Sequence, residues 1–246
     1  MFSVAQREAL LEQLVATARS DSSIVAAAVV GSGAIGREDE YSDIDLALRL
    51  TPGAGVEVVA DAWTELLYRE HDAAHHLDIW SRKALYRVFL LKTSLQVDLS
   101  FWPDQEFRAT GPHFKLLFGS AGEPSDPEVL FPEYLVGMGW LYGLHARSAI
   151  ARGQLWQAVL MLDGIRDQVI ALKCLRHGLS PHQGRGVDEL PSDEIHALEL
   201  ARAKDVNEPS LRRSLGASLD ALLVEARQHN SELATALRGP IDLLTK

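Results

Sequence analysis

The chain has 246 residues, 47% of them hydrophobic and 24% charged, with a formal net charge of −10, which is the composition of an ordinary folded protein with room for one large domain or two small ones. That acidic balance argues against nonspecific nucleic-acid or anionic-membrane binding and suits a neutral or cationic acceptor better. Cys174 is the only cysteine, so an intramolecular disulfide framework is excluded; no apolar run reaches the roughly 18 residues of a membrane span, the start lacks a signal-peptide pattern, and a cytoplasmic location is expected.

In chain order, Leu10, Leu11, Leu14, Val15 and Ala18 recur at helical spacing and predict an N-terminal amphipathic helix. Residues 24–30 form a continuous apolar run closed by Gly31, the pattern of a short buried strand. Residues 43–50 alternate: Ile44, Leu46, Leu48 and Leu50 fall on one face, Asp43, Asp45, Ala47 and Arg49 on the other. Thr51-Pro52-Gly53 ends that strand, and 56–70 reads as a helix. His75 and His76 are expected at a helix end. Two further strands are predicted over 86–91 and 95–102, joined by Lys92-Thr93-Ser94.

The glycines, prolines and acids of 119–132 predict a linker. Helical patterns follow over 133–151, 154–177, 192–203 and 210–229, with a last helix from Ser231. Gly178 stands where a C-capping glycine belongs and Pro209 where a helix opens. The expected fold is α+β: a small mixed β-sheet domain with flanking helices over 1–125, then an all-helical bundle domain over 126–246.

The chemistry concentrates in Val30-Gly31-Ser32-Gly33 and Ser42-Asp43-Ile44-Asp45-Leu46. On a strand, Asp-x-Asp places two carboxylates on one face, about 7 Å apart along the backbone. Such a pair can share Mg²⁺, a hard ion that prefers oxygen ligands and substrate phosphates. Facing a core without a cation it would be costly. A Gly-Ser turn entering a helix offers N–H groups and a hydroxyl to a phosphate. Here Gly31 allows the close approach and Ser32 supplies the contact. Gly31-Ser32-Gly33 is neither a dinucleotide fingerprint nor a P-loop, because the third glycine is too close and no Gly-Lys-Ser/Thr follows.

Gly31-Ser32, ten intervening residues and Asp43-Ile44-Asp45-Leu46 resemble the signature of the DNA polymerase β-type nucleotidyltransferase superfamily. That resemblance implies a third carboxylate on a later strand, which Gln96-Val97-Asp98-Leu99-Ser100 supplies as Asp98. The helical second half is similar to that of small bacterial antibiotic nucleotidyltransferases, which modify aminoglycosides and lincosamides. The activity implied is Mg²⁺-dependent attack of an acceptor hydroxyl on the α-phosphate of a nucleoside triphosphate, with ATP the expected donor and pyrophosphate the leaving group. Asp43, Asp45 and Asp98 would be metal ligands and catalytic residues, Asp98 as a ligand or as the general base. The helical domain would form the acceptor side of the cleft.

On the predicted helix over 154–177, Asp163, Arg166, Asp167, Lys173 and His177 make a largely charged stripe, opposite Leu155, Val159, Leu162, Val169 and Leu172. If the stripe faces the cleft, Lys173 could bind the triphosphate; otherwise it is a solvated face. Cys174, His177 and His182 lack a fourth partner for zinc. Two other readings stay open: transfer to a protein or RNA end, which the acidic balance disfavours for RNA, and a catalytically silent nucleotide-binding regulatory module. The three aspartates speak against the latter.

Overall fold

The computed structural model describes residues 2–125 and 130–245. The chain divides into two units, Met1–Glu128 and Val129–Lys246. Within the linker read from the sequence, residues 126–129 lie outside the described residues.

The first unit opens with α1 (Val4–Ser20), started by a capping box in which Ser3 and Gln6 satisfy each other's backbone N–H groups. Then come β1 (Ile24–Val30), a single 3₁₀ turn (Gly31–Ile35), β2 (Ile44–Leu50), α2 (Val56–Glu70), β3 (Ala73–Ser81), β4 (Ala84–Leu91), β5 (Gln96–Trp102) and β6 (Phe114–Phe118). The six strands form one mixed sheet in the order β3-β4-β5-β2-β1-β6. β2 and β5 are parallel; the other neighbours are antiparallel.

Period-two alternation gives the sheet two different faces. Leu46 and Leu48 of β2, Leu99 and Phe101 of β5 and Phe89 of β4 pack with Leu14 of α1 and with Trp63 and Leu67 of α2 into the main core. Arg87 is buried beside that core, donating to both carboxylate oxygens of Asp78 at 2.6 and 2.7 Å and to Asp61 of α2 at 2.8 Å. That fork ties the β3–β4 hairpin to α2. On the opposite face, Ala26, Ala28, Ala47 and Phe107 make a small second cluster at the β1–β2 side, and the remainder carries the acids.

Two strands were not foreseen. His75 and His76 lie within β3 and not at a helix end: α2 stops at Glu70, and Asp72 turns the chain at φ +54°. β3 is an edge strand whose residues after Ala73 are exposed or half-buried, so its polarity does not alternate in the way a half-buried strand's does. β6 is likewise an edge strand, with no fully buried residue.

The second unit consists of α3 (Pro132–Ala151), α4 (Leu155–Arg176), α5 (Ser192–Leu200), α6 (Glu208–His229) and α7 (Ser231–Leu244), with two short 3₁₀ turns before α5. Ile165, Val169 and Leu172 of α4 and Leu215, Leu219 and Leu222 of α6 are central to its core. Gly139 and Gly143 let α3 approach α6 closely, since a Cβ at either position would press into Leu222 or Leu219. Among the described residues no helix is long and apolar enough to cross a membrane.

Candidate functional site

Three of the residues singled out from the sequence meet on the open face of the sheet. Asp45 of β2 stands directly beside Asp98 of β5 in the parallel ladder, and Asp43 precedes β2 by one residue on the same face. Carboxylate oxygens of Asp43, Asp45 and Asp98 all lie within 4.8 Å of one another, and all three residues are half-buried. Their convergence is a product of strand pairing, because 52 residues separate Asp45 from its partner Asp98 in the chain.

Gln96, one alternation from Asp98, was not given a role in the sequence reading. Its side-chain amide donates to Asp43 Oδ2 at 3.2 Å and to Asp98 Oδ1 at 3.1 Å, bridging two carboxylates that would otherwise only repel. The available signal was the Gln-x-Asp alternation. Burial pushes the Asp98 carboxyl up to about 6; the Gln96 hydrogen bond opposes this and the Asp43 charge adds to it. Three clustered oxygen donors, one of them held toward its neutral form chiefly by burial, suit a hard divalent cation.

The raised Asp98 carboxyl has a consequence for stability. Its contribution is fully present below the unfolded carboxylate range and is lost as pH rises through about 6. In chelator, Asp98→Asn is therefore expected to raise Tm relative to wild type at pH 8 and to raise it by clearly less at pH 5, inside the window between the two carboxyl values. Calorimetry at both pH values checks this, and an equal effect at both would refute it.

The turn after β1 supplies the neighbouring wall. Gly31 has φ +65°, and a Cβ there would overlap the Asp45 carboxylate. The left-handed backbone and the close approach each demand glycine. Ser32 is half-exposed beside it, and its carbonyl accepts from the N–H groups of Gly36 and Arg37. The turn does not enter an α-helix, as the sequence reading had it: it closes after Ile35 at Gly36, φ +67°. A phosphate would meet local N–H groups there and not a helix macrodipole. The following loop is held by buried Arg7, whose guanidinium donates to the Asp39 carbonyl at 2.5 Å, and by the Ser42 hydroxyl donating to Asp39 at 3.0 Å. Gly31→Ala is expected to cost about 1–2 kcal/mol from the left-handed backbone alone and to displace Asp45. Mn²⁺ affinity read by electron paramagnetic resonance should fall at least about tenfold, the equivalent of about 1.4 kcal/mol.

Lys173 lies in α4 of the helical unit, 3% exposed, with its ammonium on Glu194 and 3.2 Å from the fully buried Glu225. Arg176 completes the cluster, donating to Glu225 at 3.0 Å through both Nε and a terminal nitrogen. Burial alone would raise Glu194, but hydrogen bonds from Arg176 and Lys173 outweigh it and hold its carboxyl at about 2. The charge of Lys173 is thus engaged by two carboxylates of its own unit, while Asp163 and Arg166 of the same stripe pair at 2.8 Å.

No protein-family model matches the chain, and no curated protein sequence matches it. Among solved structures it is similar to an aminoglycoside 6-adenyltransferase from Bacillus subtilis, at 11% identity and TM-score 0.41 over 99% of each chain. It is also similar to a chain of a GLD-2/RNP-8 complex, at 14% identity and TM-score 0.31, over 87% of this chain and 67% of that one.

Proposed function

We propose that this chain is a Mg²⁺-dependent nucleotidyltransferase that moves a nucleoside monophosphate, AMP from ATP, to a hydroxyl of a small acceptor and releases pyrophosphate. The observation that carries the reading is the meeting of Asp43, Asp45 and Asp98 on one sheet face, with the Gly31 turn packed against Asp45. Asp43, Asp45 and Asp98 would hold the metal, which when bound neutralises phosphate charge and aligns the attacking and leaving oxygens.

The residues of the chain do the rest. Gly31 and Ser32 present backbone N–H groups and a hydroxyl to the triphosphate. The acceptor hydroxyl attacks the α-phosphorus, a new phosphorus–oxygen bond forms, and the bond to pyrophosphate breaks. The proton released goes to a carboxylate oxygen, for which Asp98 is the best suited because its carboxyl already lies near neutrality. Asp98 serves in this way or as third ligand. Catalysis of this kind is mostly positioning and electrostatics and asks for few further groups.

Aminoglycosides and lincosamides, the acceptors implied by the sequence resemblance, are the first to screen. The test is Mg²⁺-dependent release of pyrophosphate from ATP, with the adenylylated product identified by mass spectrometry across a panel of hydroxylated acceptors. Product with any acceptor, lost in chelator, is the expected result. Nucleotide binding without release from any of the triphosphates, whatever the acceptor, would contradict the reading.

A further inference from the structure

The acid-bearing face of the sheet continues past the acids. Along β5 it carries Asp98, then Ser100, which is buried and accepts from the Trp102 indole at 2.9 Å, then Trp102 itself, and beside them on β4 stand Val88 and Tyr86. Four residues of strand, about 13 Å, lead from Asp98 to Trp102. There the face opens into a cavity of about 580 Å³ within the first unit, a volume suited to a small organic molecule. Tyr86 and Trp102 form one wall, ring centroids 5.8 Å apart and edge-on.

The rim of this cavity is basic in an acidic protein. Arg82, Lys83 and Arg108 line it, against the carboxylate of Glu106, the single one among the described residues of the lining. Arg108 is paired with Glu106 at 2.8 Å and Lys83 only loosely, at 3.9 Å. Arg82 has no ion-pair partner among the described residues. Arg82 and Lys83 are also the two loop residues of the β3–β4 hairpin, closed by the Ser81–Ala84 pair. Such a loop favours asparagine, aspartate or glycine, which accept left-handed backbone. Here Arg82 sits at φ +54°, a conformation unfavourable for a long side chain. A locally disfavoured arginine on the rim of a cavity points to a role for its charge.

We infer that this cavity binds the far end of the acceptor, and that the acceptor carries an anionic group, a carboxylate or a phosphate, on an aromatic or apolar body whose hydroxyl reaches toward Asp98. This rests on the proposed transferase reading for the reaction, and for the acceptor it points away from the polycationic aminoglycosides and from the neutral or cationic acceptor that the overall acidic balance suggests. Arg82, Lys83 and Arg108 attract the anion, Tyr86 and Trp102 pack against the body, and the same rim repels a polycationic acceptor.

Binding measured without nucleotide or metal keeps this test apart from the transferase reading. The probes are 4-hydroxyphenylacetate, its neutral amide and the amine tyramine, followed by isothermal titration calorimetry. The carboxylate is expected to bind at least about tenfold more tightly than the amide, with tyramine weakest, and the preference should shrink with salt. Arg82→Asn and Arg108→Ala should each remove most of it. Arg82→Asn suits the left-handed backbone better than arginine, so it should keep or raise Tm while losing the anion preference. Equal binding of carboxylate and amide, tightest binding of tyramine, a preference untouched by both variants, or no carboxylate binding up to millimolar concentration overturns the proposal. Loss of pyrophosphate release with the binding preference intact would count against the transferase reading alone.

Discussion

Asp45→Asn is expected to lower Mg²⁺-dependent pyrophosphate release about a thousand-fold or more while leaving the fold intact. The substitution is nearly isosteric, so the packing of β2 between β1 and β5 is preserved. What disappears is one of three clustered oxygen charges, and with it the carboxylate that packs against the Gly31 turn. Charge stabilisation by a bound metal contributes several kcal/mol to such a transition state. At one decade of rate for about 1.4 kcal/mol, that corresponds to at least three decades. Asp43→Asn should behave alike. The measurement pairs steady-state pyrophosphate release with Tm. Full activity in either variant would defeat the metal-site reading; inactivity together with a collapsed Tm would instead indicate a structural role for the carboxylate.

The second large effect concerns the helical unit. Lys173→Met is expected to destabilise the protein by about 1.5–3 kcal/mol, because the fully buried Glu225 carboxylate loses one of its two cations and keeps Arg176. For a chain of this size that is a Tm loss of roughly 3–12 °C. The double variant Lys173→Met/Glu225→Gln should recover much of the loss, since a neutral pair leaves no unmatched buried charge. Differential scanning calorimetry of the wild type, the two single variants and the double variant closes the cycle. The double variant also tests the nucleotide-binding expectation drawn for Lys173 from the sequence. A raised KM for ATP with an unchanged Tm would support that role, whereas an unchanged KM would leave Lys173 as a structural cation.

The elements legible in the sequence were those whose burial is one-sided or complete. The β2 alternation from Ile44 to Leu50 and the helix Val56–Glu70 read directly, since each buries one face and exposes the other. The helices of the second half read for the same reason, to within a few residues at their ends. β3 did not read, because Leu77, Ile79 and Trp80 are all about half-exposed on an edge strand and nothing separates its two faces by polarity. The Arg82-Lys83 loop did not read as a turn, because neither residue type announces left-handed backbone. The linker and domain boundary rested on composition alone.

By itself the sequence determined the α+β class and the faces of β2, with Asp43 and Asp45 on the same one, because side-chain period and residue type are local properties of the chain. Only the tertiary structure decided what those residues stand beside. The parallel pairing of β2 with β5 brings Asp98 to Asp45; β4 sets Val88 and Tyr86 along the same face; and the β3–β4 hairpin carries two cations to the rim of the cavity. The physical reason is that ladder register and burial arise from long-range contacts, so the charge state of Asp98 and the engagement of Lys173 by Glu194 and Glu225 follow from neighbours distant in the chain.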